Sequence, residues 1–65
     1  MKIVLNGEPK EVAAATLAGL CAALGHGRAK IATAVNGAFV PARERAGLRL
    51  AEHDRIEIVA PRQGG

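Results

Sequence analysis

The apolar positions of this chain alternate in short runs, broken by Asn-Gly pairs and prolines, with one stretch of helical spacing. Ile3, Val4 and Leu5 lead directly into Asn6-Gly7. Alternation puts Ile3 and Leu5 on one side of a strand and Lys2 and Val4 on the other. A type I′ turn needs positive φ at both central positions, which Asn-Gly accepts, so a hairpin is predicted. The return strand covers residues 8–12. Pro9 lacks an N–H, which confines that strand to an edge or Pro9 to its first residue.

Thr16 is a candidate N-cap for a helix over residues 17–24. Leu17, Leu20, Cys21 and Leu24 fall at i, i+3, i+4 and i+7, one apolar stripe. Gly25 and Gly27 supply its stop. Gly19 falls on the opposite face, where it costs about 1 kcal/mol against Ala. A third strand is predicted over 31–35, a second Asn-Gly turn at Asn36-Gly37, and a short fourth strand at Phe39 and Val40, stopped by Pro41. Residues 42–47 are polar, with room for one short helical turn, and Leu48 and Leu50 then alternate into a turn at Glu52, His53 and Asp54. The last strand covers 55–60, with Ile56 and Ile58 on one face and Glu57 and Val59 on the other.

The order is β-β-α-β-β-β. One helix covers one face of the sheet, so the expected core is Ile3, Leu5, Val12, Leu17, Leu20, Leu24, Val35, Val40, Leu50, Ile56 and Ile58. The same alternation puts Val4, Ala34, Glu57 and Val59 on the uncovered face. They form a candidate partner-binding patch beside the chain end, rimmed by Arg55 and Arg62. The expected organisation is a folded body over residues 1–60 and a flexible tail over 61–65.

Length narrows the function classes. At 65 residues the chain buries only about 60% of its unfolded surface, which leaves little room for a catalytic pocket. Nine Lys/Arg against six Asp/Glu give a net charge of +3, but the cations are dispersed. With one Phe and no Trp or Tyr, stacking on nucleic-acid bases is not expected. The single Cys excludes an internal disulfide. No apolar run approaches the ~18 residues of a membrane span, and the first residues carry no signal-peptide pattern. The expectation is a cytoplasmic protein, monomeric when unbound, with no membrane contact.

The tail Arg62-Gln63-Gly64-Gly65 carries the most chemistry. Two terminal glycines can enter a narrow channel with unrestricted φ/ψ, and Gly65 ends in a carboxylate with no bulky neighbour. A carboxylate is a poor electrophile at neutral pH, and its usual activation is an acyl-adenylate made with ATP. No Walker-type loop is present, so a partner must bind the nucleotide. Elsewhere, Cys21 lies within the helix stripe and reads as a core residue before a nucleophile. His26 and His53 each stand without a second ligand at metal spacing. Glu52 and Asp54 read as turn carboxylates that bond nearby backbone N–H groups.

The chain resembles the β-grasp sulfur carriers, most closely the ThiS family of thiamine biosynthesis. The resemblance spans the whole length. It rests on Ile3-Val4-Leu5-Asn6-Gly7, Ala34-Val35-Asn36-Gly37 with Val40-Pro41, Asp54-Arg55-Ile56-Glu57-Ile58-Val59 and Gln63-Gly64-Gly65. The terminal Gly pair alone is shared with ubiquitin and with the small subunit of molybdopterin synthase. One departure is His53, where the family commonly has Gly in a Gly-Asp turn. The resemblance implies an α+β, ubiquitin-like β-grasp fold, a mixed sheet of about five strands with one helix on one face. It implies a carrier with no active site and no bound cofactor. An adenylyltransferase resembling the ubiquitin-activating enzymes would use ATP and Mg²⁺ to adenylate Gly65. A persulfide derived from a cysteine desulfurase would supply sulfur for a C-terminal thiocarboxylate, and thiazole synthase would consume it. The alternatives are a molybdopterin-type carrier and a β-grasp interaction or modifier module.

Overall fold

A computed structural model describes residues 1–26 and 30–60. Five strands form one mixed sheet in the order β2-β1-β5-β3-β4. They are β1 (Lys2–Leu5), β2 (Glu8–Glu11), β3 (Ala32–Val35), β4 (Ala38–Val40) and β5 (Arg55–Val59). Neighbours run antiparallel except β1 and β5, which are parallel and central. β2, with Pro9, is an edge strand as expected, so the missing N–H interrupts no inner ladder. The β-grasp arrangement expected from the resemblance is present.

Both Asn-Gly turns form with the required backbone. Asn6 and Asn36 have φ of 50° and 51°, followed by Gly7 and Gly37 at 84° and 85°. Asn reaches this left-handed region more easily than other non-glycine residues. His53 also takes it, at φ 70°, so the turn keeps a conformation Gly adopts freely although a side chain is present.

Helix α1 (Leu17–Ala23) starts as the sequence predicts, with the Thr16 hydroxyl accepting the Gly19 N–H at 3.1 Å. The close approach explains Gly19. A Cβ there would stand 3.3 Å from Thr16 Oγ1, tight enough to press on the capping group. The helix ends in a Schellman motif: the Gly25 N–H donates to Ala22 O and the His26 N–H to Cys21 O. Gly25, at φ 87°, supplies the left-handed residue. Gly27, the second expected stop, lies outside the described residues.

The core closes α1 and the sheet around Ile3, Leu5, Leu17, Leu20, Cys21, Val40, Leu50, Ile56 and Ile58. Three expected core positions differ. Leu24 becomes the helix C-cap and is 40% exposed, because the Schellman turn ends the stripe one residue early. Val12 and Val35 are only half-buried, packed against the core from its margin. The chain also buries Thr33. Its hydroxyl donates to Val40 O at 2.7 Å and accepts from Arg45 Nε at 3.0 Å. Arg45 Nη2 donates to Ile31 O at 2.7 Å. Arg45 belongs to a 3₁₀ helix, Ala42–Gly47, so these bonds fasten the polar 42–47 segment to β3. No helix among the described residues is long and apolar enough to cross a membrane.

Candidate functional site

The face of the sheet opposite α1 is built by alternation. In β5, Ile56 and Ile58 turn inward, which leaves Arg55, Glu57 and Val59 outward. Register then sets their neighbours. Glu57 pairs with Ala34 and Val59 with Ala32, while Ala34 pairs on its other side with Phe39. Ala34, Glu57 and Val59 therefore share a shallow hollow with Ala32, Phe39 and Asn6.

Val4 lies on the same outward face, but its parallel partner is Arg55. That places it at the opposite end of β5 from Val59, four residues or about 13 Å along the strand. The expected contiguous Val4–Val59 patch is therefore divided. Val4 faces a second hollow with Arg55 and Glu57, floored by the two turn glycines Gly7 and Gly37. Glu57 borders both hollows.

Phe39 enlarges the apolar end beyond the expected Val4, Ala34, Glu57 and Val59. It is 68% exposed, and Val59 is 61% exposed. The signal was present in the sequence: Val40 points inward, so its neighbour in β4 must point outward. Among the described residues Glu57 and Arg55 form no ion pair; the pairs found are Glu11 with the Met1 amino group and Arg43 with Glu44. The face thus offers two exposed apolar side chains and a carboxylate that no cation among the described residues pairs with.

The remaining candidates have structural roles. Cys21 is buried on α1, and burial pushes its thiol pKa up, opposed in part by the Arg45 charge. A thiol held protonated is a weak nucleophile. Asp54 accepts the Ala51 N–H at 2.8 Å and Asn36 Nδ2 at 3.0 Å, and Glu52 accepts the Lys2 N–H at 2.8 Å. These carboxylates organise the turn before β5. No cluster of His, Cys, Asp and Glu among the described residues could hold a metal ion. Arg62, Gln63, Gly64 and Gly65 lie outside the described residues.

The profile of the ThiS family matches residues 3–65. The fold is similar to the crystal structure of a thiamine biosynthesis protein (ThiS) from Geobacter metallireducens, with a TM-score of 0.82, 23% sequence identity and full coverage of both chains. No curated protein matches the sequence.

Proposed function

The chain belongs to the ThiS family of sulfur carriers, and from that premise we propose that it carries sulfur as a thiocarboxylate on Gly65 for thiazole formation. The observation that carries this reading is the extent of the family match, which runs through Gly64 and Gly65. In the proposed cycle an adenylyltransferase partner, using ATP and Mg²⁺, joins the Gly65 carboxylate to AMP and releases pyrophosphate. The terminal sulfur of a cysteine-desulfurase-derived persulfide attacks the Gly65 carbonyl and displaces AMP, giving an acyl disulfide. A second thiol of the sulfur donor then attacks its donor-side sulfur, so that the S–S bond breaks, the donor is left as a disulfide and Gly65 as the thiocarboxylate. Thiazole synthase takes the sulfur and returns the carboxylate. The protein is then a cosubstrate, with no catalytic group of its own.

The body over residues 1–60 serves as the handle for the 61–65 tail. β5 is a central strand, and its last residue, Val59, stands at the apolar end of the open face beside Phe39 and Ala34. Docking of that face on each partner would hold the adjoining tail near the reacting group, which raises its effective concentration there. Glu57 gives the face a charge to match, and Val4 extends it toward the start of β5.

The test is intact mass after incubation with ATP, Mg²⁺, the activating enzyme and a sulfur donor. Replacement of one oxygen by sulfur adds about 16 Da, and the same protein lacking Gly65 should gain nothing. An unchanged mass for the full chain, or a gain by the truncated one, refutes the proposal. A conjugate through a lysine amide would instead identify a modifier.

A further inference from the structure

Both Asn-Gly turns use the asparagine side chain on the same central strand, from opposite edges and at opposite ends. On one edge, β1 pairs with β5 through the Val4 N–H to Asp54 O and the Asn6 N–H to Ile56 O, each at 2.9 Å. The next rung would need a carbonyl for the Ile58 N–H and an N–H for Ile58 O. The backbone cannot supply them, because it turns away into β2 at Asn6. The Asn6 carboxamide stands in: Oδ1 accepts the Ile58 N–H at 2.9 Å and Nδ2 donates to Ile58 O at 3.3 Å. Only one orientation of the amide satisfies both groups. On the other edge, the Asn36 N–H donates to Arg55 O at 2.7 Å and its Oδ1 accepts the Arg55 N–H at 2.9 Å. Asn36 therefore closes the ladder at the start of β5, and Asn6 closes it at the end that leads to the tail.

We infer that Asn6 is a positioning residue for sulfur transfer: its carboxamide prolongs the sheet by one rung and so sets the direction in which the chain leaves Ile58 toward Gly65. This rests on the sulfur-carrier reading. Without the rung, the β1-side edge of β5 ends at Ile56 O, and the segment beyond is held on that side by nothing among the described residues. Asn6 also lines the hollow of the docking face, but its carboxamide is committed to Ile58, and the exposed Phe39 and Val59 side chains remain when it is removed. Loss of Asn6 should therefore lower the rate of adenylation while leaving partner affinity in place.

Asn36 supplies the matched control, because it makes the same kind of bond on the same strand far from the tail. Asn6→Gly and Asn36→Gly both keep a residue suited to positive φ and remove only the carboxamide. Amide hydrogen exchange should accelerate at least tenfold at Ile58 in the first variant and at Arg55 in the second. In ATP–pyrophosphate exchange with the activating enzyme, Asn6→Gly should lose at least fivefold in kcat with KM for the carrier within twofold. Asn36→Gly, of similar urea midpoint, should keep both constants. If Asn6→Gly does not fold, Asn6→Asp preserves the acceptor for the Ile58 N–H and sets an oxygen against Ile58 O, and the same fall in kcat is expected. Equal losses in kcat for the Asn6 and Asn36 variants, or unaltered exchange at Ile58, overturn the inference. If the wild-type chain is not adenylated at all, the sulfur-carrier reading falls by itself. Residual dipolar couplings of the Val59 and Ala60 amides then decide the clamp: a reorientation in Asn6→Gly supports it and none overturns it.

Discussion

Phe39→Ala tests the open face most directly, because Phe39 contributes little to folding and much to any docked surface. Its side chain is 68% exposed in the unbound protein. A Phe presents on the order of 200 Å², so about 135 Å² remains for a partner to cover. At roughly 25 cal/mol per Å² this is about 3 kcal/mol if docking buries it fully. The Ala Cβ retains part of that area, which leaves about 2 kcal/mol, a weakening of roughly thirtyfold. The folded state should lose no more than about 1 kcal/mol, from the covered third of the ring and from the lower strand preference of Ala. In a domain of this size that lowers Tm by about 4–8 °C. Titration calorimetry against the activating enzyme, alongside a thermal melt, separates the two effects. An affinity within twofold of wild type, in a variant that still melts cooperatively, would show that the β4 end of the face is not part of the interface.

Two further substitutions test the core. Leu20→Ala removes a fully buried side chain from α1 and should cost about 2–5 kcal/mol; an unmoved urea midpoint would contradict the packing described. Thr33→Val keeps the shape but deprives Arg45 Nε of its acceptor and Val40 O of a donor. It should cost about 1–3 kcal/mol, seen as a lower urea midpoint at constant m-value, and a neutral result would mean the hydroxyl bonds are not worth their burial.

Local chemistry made much of this protein readable from its residues. Asn6-Gly7 and Asn36-Gly37 announce turns because positive φ is a property of single residues. Thr16 announces the helix start because a cap bonds a backbone N–H only three residues away. Alternation in 3–5 and 55–59 identifies the faces of both central strands, and Pro9 excludes β2 from the interior. Tertiary structure decided what depends on register between distant segments. It buried Thr33, because Val40 O and Arg45 meet its hydroxyl there, and it lifted Leu24 out of the core at the Schellman turn. It separated Val4 from Val59, since β1 lies beside the start of β5, and it brought Phe39 to Ala34 across the β3–β4 ladder. The bonds from the Asn6 carboxamide to Ile58 span 52 positions of sequence. No local pattern contains them, because they exist only once two strands from opposite ends of the chain lie parallel in one sheet.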